Sequence, residues 1–497
     1  MTMNQSLLTD ESVDRRYIRS AFARFDWALC VIAVLVGAFQ LINLDSEEAF
    51  YVSVSMLSLC GLIGLIKCVL IPEAVTSWLV LASTLALGYG LGTLNTLLSG
   101  YRDYMSLLEL TYASRADLAA AIGMTLILFA GLYAVGLIDR SSRFLQHVSV
   151  TDQDVTLVAW LTSMVAAWVT LLVLTGKIGI QMDISASEGS SNISAASSIV
   201  TSALCPMVAI AVYFYAKASG RIKMLLLAAG LAILLVQATQ GRRVFIYSIV
   251  CCVIAFVASN NRRIFTMKNV FMAVIAVAMT VGASKLFFAM RSATIDVGKH
   301  HNLVFLLEKG IEELRQSDRT DLSQRIAENQ DTRTFIIGYL AEVLKLSETK
   351  PTTGGALFEL AIASAVPSML WPGKWRIMSI GSEETLSHPQ FGLPIWDAAN
   401  SVLTAGVFDF GVAGFFAYPF IVAGVFALIT GAAMRLTLQA RLMMGFGCVY
   451  TLFSVETPIA GYTASLREAI ILTAVVQIAA VLQRRWTSSR MTAVTMP

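Results

Sequence analysis

The feature that most constrains this chain is a succession of long apolar runs. Crossing the hydrocarbon core of a bilayer takes about 17–25 mostly apolar residues in a helix. Only a helix or a closed barrel satisfies every backbone polar group without water. Twelve runs of suitable length occur, at 27–44, 50–71, 75–98, 117–138, 155–176, 197–216, 222–239, 243–259, 268–289, 403–431, 436–453 and 464–482. The expected fold is therefore an all-α polytopic membrane protein of about twelve transmembrane helices. Charged residues make up only 14 % of the 497 residues, against about 25 % in soluble domains. Such a chain cannot cover a soluble core of its size with a polar shell. The run at 403–431 exceeds one span, and it also reads as a short re-entrant segment near Leu403–Phe410 followed by a span from Gly411.

Charge bias assigns the runs a direction, because Lys and Arg collect on cytoplasmic connections. Arg140 and Arg143, then Lys217, Arg221 and Lys223, then Arg262, Arg263 and Lys268, then Arg435 and Arg441 fall on alternate connections. Lys67 marks the weakest of these joints. The polar N-terminal stretch with Arg15, Arg16, Arg19 and Arg24 reads as a cytoplasmic leader on a retained helix. Both termini are expected in the cytoplasm. Three regions follow: 1–289 with nine spans, 290–400 as a large extracytoplasmic loop, and 401–497 with three spans. The net charge of +3 is too small to point to nucleic acid. All seven cysteines fall in apolar runs without metal-ligand or CxxC spacing, which suits small packing residues.

The loop at 290–400 carries five of the ten prolines, Pro351, Pro367, Pro372, Pro389 and Pro394. Val304, Leu307, Ile311 and Leu314, then Ile336, Leu340 and Val343, have helical spacing. They predict two amphipathic helices on the bundle or the membrane surface. The apolar stretch 356–370 requires burial, and the remainder of the second half reads as ordered loop.

Chemistry is suggested first by arginines on the unfavoured side. Gln240-Gly241-Arg242-Arg243 joins two runs in a tight hairpin at the extracytoplasmic face, against the charge bias. Helix N-termini attract anions, and Arg binds phosphate oxygens in a fork while staying charged. Arg291 and Arg467 stand at helix ends of the same predicted depth. Together these four suggest a diphosphate pocket, although each alone also suits an interfacial anchor. Arg333 reads as a solvated surface charge.

Candidates for proton transfer are His388, Asp397 and Asp409, with Glu456 at the end of a span; the sequence does not choose among them. Asp409 lies within an apolar run, where a carboxylate is a functional candidate by default. It equally suits pairing with an arginine or capping a helix after a break. Trp371, Trp375 and Trp396 suit either stacking on sugar rings or an interfacial belt. Lys374 lies among them, placed for a phosphate or a lipid headgroup. No Walker loop, GxGxxG, HExxH or GxSxG is present, which argues against nucleotide hydrolysis and metalloprotease chemistry.

Several of these features resemble those of the Wzy-type O-antigen or exopolysaccharide repeat-unit polymerases. They are the many spans, the short Gln240–Arg243 turn and the late extracytoplasmic loop. Val366-Pro367-Ser368-Met369-Leu370-Trp371-Pro372-Gly373-Lys374 is similar to that family's proline-flanked segment ending in P-x-K. Ala405-Gly406-Val407-Phe408-Asp409-Phe410-Gly411-Val412-Ala413-Gly414 is similar to its Gly-rich lead-in to the next span. The resemblance covers about 235–470; the first half matches in hydropathy alone.

The resemblance implies a glycosyltransferase at the outer face of a bacterial inner membrane. It would polymerise undecaprenyl-diphosphate-linked oligosaccharides by inverting transfer, with no metal or cofactor, among membrane lipid and with a chain-length regulator as a further partner. Arg242, Arg243, Arg291 and Arg467 would hold diphosphate. Asp397, His388 or Asp409 would serve as base, and Trp371, Trp375 and Trp396 would hold sugar. Two alternatives remain: a ligase using the same donor, and a twelve-helix transporter. The transporter is disfavoured because no internal repeat is visible and the notable charges lie at one face.

Overall fold

The computed structural model describes residues 4–98, 112–146, 150–175, 191–240, 242–259, 282, 285–286, 289–290, 303–316, 336–367, 369–378, 383–393 and 399–494. Among them there is no strand. The helices are α1 (Asn4–Ile42), α2 (Glu47–Leu70), α3 (Ser77–Leu98), α4 (Arg115–Ile138), α5 (Asp152–Leu174), α6 (Ser191–Tyr215), α7 (Gly220–Gln240) and α8 (Arg242–Ser259). They continue with α9 (Leu303–Gln316), α10 (Ile336–Ser347), α11 (Ala356–Ala365), α12 (Trp375–Met378), α13 (Glu383–Phe391), α14 (Val402–Ala433), α15 (Leu438–Leu452) and α16 (Ile459–Val494).

Eight helices among the described residues are long and apolar enough to cross a membrane, so the chain is an all-α polytopic membrane protein. They correspond to the first five expected runs and the seventh, tenth and twelfth. The sixth and eighth appear as shorter apolar helices, Ala203–Tyr215 and Arg243–Ser259. The eleventh is the 15-residue α15. The ninth lies largely outside the described residues.

The chain divides into two compact units. One comprises Met1–Arg143, Ala327–Gly431 and Thr451–Arg467. Its first four helices start on side-chain caps where they can. Ser46 accepts the Ala49 amide to open α2, and Ser114 with Asp117 forms a capping box on α4, satisfying amides that would otherwise be orphaned. Helices α2 and α3 pack at backbone distance. A Cβ on Gly61 would stand 2.5 Å from the Leu87 amide nitrogen, and one on Gly90 2.6 Å from that of Ser58. Small residues let membrane helices approach in this way. Asp26 of α1, Lys67 of α2 and Tyr133 of α4 meet in the interior. Lys67 Nζ lies 2.6 Å from Asp26 Oδ2, and the Tyr133 hydroxyl donates to Asp26 Oδ1 at 2.6 Å. Lys67 was expected only as a marker of orientation, yet it is 4 % exposed and ion-paired within the unit.

Helix α10 is one of the two amphipathic helices expected on the bundle or the membrane surface, and it lies against helices of the bundle. Ten of its twelve residues are buried, Glu342 included. The carboxylate of Glu342 accepts the amides of Tyr112 and Ala113, so its charge is satisfied without water and α10 packs against α3 and α4. The second half of the expected loop is more regular than predicted, with α11, α12 and α13 in place of irregular chain.

Helix α14 carries the expected break. Phe410 (φ −141°, ψ 19°) and Gly411 (φ 58°, ψ −142°) leave helical geometry, and the positive φ at Gly411 suits a residue without Cβ. In a straight helix Gly406 and Gly414 would be about 12 Å apart. Here a Cβ built on either would overlap the other's carbonyl group. The segment before the break therefore folds back against the segment after it.

The second unit comprises Phe144–Ile326, Ala432–Tyr450 and Glu468–Pro497. Thr151 and Asp154 form a capping box on α5, and Asp154 also accepts Gln439 Nε2 from α15 at 2.6 Å. Phe144 meets Phe446 edge to face at 5.3 Å. All seven cysteines of the chain are buried and free.

Candidate functional site

Helix α11 organises the polar interior of the first unit. Its entry is a glycine turn, Gly354 (φ 64°) and Gly355 (φ 98°), and Gly355 offers no side chain to cap it. The cap comes from elsewhere in the sequence. Asp409, just before the break in α14, accepts the amide of Leu357 at 3.1 Å and that of Phe358 at 2.9 Å. It also accepts the hydroxyls of Thr353 and Tyr418. A carboxylate at a helix N-terminus is favoured by both the free amides and the helix dipole.

The opposite end of α11 is held by cations. Lys374 Nζ donates to the Ala363 carbonyl at 3.0 Å and to that of Val366. Arg467 Nη1 donates to the Ser364 carbonyl at 2.8 Å. Thr463, one turn before Arg467 on α16, donates to Ala361 O at 2.7 Å. Carbonyls at a helix C-terminus favour cations for the reasons that favour anions at the start. Burial and the nearby Arg467 both push the Lys374 ammonium below its usual range. The 3-10 turn Pro372–Lys374 presents the lysine inward, at 5 % exposure, so Lys374 does not face a headgroup as its flanking tryptophans suggested.

Beside α11 lies a buried network on α10, α13 and the start of α14. The Tyr339 hydroxyl is 2.7 Å from His388 Nε2 and 3.2 Å from Asn400 Oδ1. Asn400 Nδ2 donates to Glu384 Oε1. A hydroxyl has one proton. It can go to Asn400 Oδ1 or to His388 Nε2, and the tautomer of His388 decides which. Ser401 adds a further link, with its Oγ 2.6 Å from the Tyr89 hydroxyl and accepting the amides of Leu403 and Thr404.

Glu383, at the start of α13, stands between these two arrangements. It is 4 % exposed, and neither carboxyl oxygen makes a well-formed hydrogen bond. The Ile459 amide faces it and mildly favours the charged form. Burial, then Glu384 and then Asp409, raise its pKa well above the usual carboxylate range. Tyr339 is likewise pushed well upward by burial and by Glu383 and Glu384. Glu383 was not among the residues singled out from the sequence, because adjacent acidic residues are ordinarily solvated. Only the fold brings this carboxyl inside.

The predicted site residues sort as follows. His388, Asp409, Arg467, Trp371 and Trp375 belong to the first unit. His388 is fully buried and its Nε2 is committed to Tyr339. Asp409 is the trans cap of α11; with four donors on its two oxygens it is unsuited to accept a substrate proton, and of its earlier readings capping is the one that fits. Trp371 is half-buried and Trp375 is 63 % exposed. Arg242 and Arg243 open α8 in the second unit, α7 ends at Gln240, and the expected turn residue Gly241 lies outside the described residues. Arg243 is half-buried. The side chain of Arg242 and all of Arg291, Arg333, Trp396 and Asp397 lie outside the described residues. Among the described residues no three His, Cys, Asp or Glu side chains are grouped to ligate a metal ion. No protein-family model, curated protein or solved structure matches the chain.

Proposed function

We propose that the protein polymerises lipid-diphosphate-linked oligosaccharide repeat units into a surface polysaccharide at the outer face of a bacterial inner membrane. The polymerase would have twelve spans, with both termini in the cytoplasm. The observation that carries this reading is the double grip on α11. The two segments that resemble the Wzy-type polymerases close on opposite ends of one helix. Asp409, from the Gly-rich segment, takes the N-terminus. Lys374, from the proline-flanked segment, takes the C-terminus beside Arg467.

That arrangement makes chemical sense for such a substrate. Arg467, half-buried beside the inward-facing Lys374, forms a positive pole, and a lipid diphosphate is the anion that would draw on it. The Tyr339–His388–Glu383 region is a proton-transfer pole. An acceptor carries its diphosphate at one end of an oligosaccharide and its reacting hydroxyl at the other, so the poles need not touch. Arg242, Arg243 and Arg291 are assigned to the donor diphosphate, whose departure needs positive charge. The tryptophans, Trp375 foremost by its exposure, are assigned to sugar.

Deleting the gene and resolving surface glycans on a gel tests the reading. Loss of long chains with single units still attached is expected. Loss of attachment altogether would indicate a ligase instead. Arg467→Gln, produced at wild-type level, should shorten the chains because it removes positive charge from the pole. Unchanged chain length in that variant would remove Arg467 from the site.

A further inference from the structure

We infer that Glu383 is the base that takes the proton from the acceptor sugar hydroxyl, an assignment that rests on the polymerase reading above. Three carboxyls lie together here, and their hydrogen bonding separates them. Asp409 has four donors on its two oxygens. Glu384 accepts from Asn400. Glu383 is more than nine-tenths buried and has neither oxygen in a formed hydrogen bond. A buried carboxyl left so is costly, and its missing partners are of the kind a polyol hydroxyl supplies. His388 is the competing base, but its Nε2 is engaged by the Tyr339 hydroxyl at 2.7 Å.

The surroundings suit the task. Glu384 on the same helix, Asp409 from α14, Tyr339 from α10 and the Ile459 amide from α16 face the carboxyl, and Tyr418 lies in its field. Two acidic neighbours and burial make the ionised form a stronger base than a solvated glutamate, and a base tuned toward neutral pH transfers protons most effectively. In the step, ionised Glu383 removes the hydroxyl proton of the acceptor. The acceptor oxygen bonds to the donor's anomeric carbon as that carbon's bond to the phosphate oxygen breaks. The bonding pair leaves with the lipid diphosphate, and Glu383 then returns its proton to water.

The test compares wild type, Glu383→Gln and Glu383→Asp as full chains in a deletion host, with the purified proteins unfolded thermally at pH 8. Glutamine mimics the neutral carboxyl without its proton chemistry. Glu383→Gln should lose chain extension by about 100-fold or more yet unfold at the wild-type temperature or above it. The sign follows from linkage: a carboxyl whose folded value is raised costs stability as pH rises above its unfolded value, and glutamine removes that cost. Glu383→Asp should retain part of the activity with a displaced pH profile. Wild-type rates, measured on lipid-linked repeat units from the same host, should rise with pH through an apparent value above the ordinary carboxylate range. Normal chains from Glu383→Gln, or a flat wild-type profile, would overturn the assignment. Normal chains after deletion of the whole gene would instead overturn the polymerase reading.

Discussion

Replacing Asp26 with alanine is expected to cost about 3–5 kcal/mol of stability, because it leaves Lys67 as an unpaired charge inside the first unit. Both side chains are 5 % exposed and their charged atoms are 2.6 Å apart. Tyr133 would lose its acceptor as well, and its ring would stay 4.9 Å from the ammonium. The consequence should be lower protein yield and a lower unfolding midpoint in detergent. The double change Asp26→Ala with Lys67→Met should recover most of the loss, since an apolar replacement of a buried pair is often nearly neutral. A double variant as unstable as Asp26→Ala alone would show that the pair is not what holds α1, α2 and α4 together.

Asp409→Ala is the second large effect, at about 3–5 kcal/mol, because hydrogen bonds to a charged group are strong and orphaned buried donors are costly. The amides of Leu357 and Phe358 and the hydroxyls of Thr353 and Tyr418 all lose their acceptor. The loss should be local as well as global. Hydrogen exchange at Leu357 and Phe358 should accelerate far more in Asp409→Ala than in Asp26→Ala when both are studied below their unfolding midpoints. Equal protection of those two amides in the variants would mean that α11 does not depend on Asp409. The activity of Asp409→Ala should fall with the fold of α11, and not through a lost proton transfer.

These interactions show where the sequence was legible. Apolar runs are local and periodic, so the apolar part of α1, α2 to α4 and the broken α14 were read to within a few residues, although α1 itself begins at Asn4, in the polar stretch before its run. Asp26 and Lys67 are 41 residues apart, and Asp409 is 51 residues from the Phe358 amide. No local pattern links such partners, so Lys67 looked like a charge near the membrane surface. The burial of Glu342 in α10 was hidden for the same reason. The amides that satisfy it lie about 230 residues earlier. Glu383 was invisible because an acidic pair between polar residues is normally solvated. Its burial is a property of how α10, α13 and α14 meet, and that property makes it the best-placed base. The break at Phe410–Gly411 was legible because the apolar run at 403–431 exceeds one span, which is a local property.

The most direct test is reconstitution. The purified full chain in lipid bilayers would be given lipid-diphosphate-linked repeat units, with a chelator present, and products would be resolved by mass and by gel. The expected result is glycan of two or more repeat units on lipid diphosphate, with one free lipid diphosphate released for each linkage formed. Intact single units carried across the bilayer, with no diphosphate released, would contradict the polymerase account.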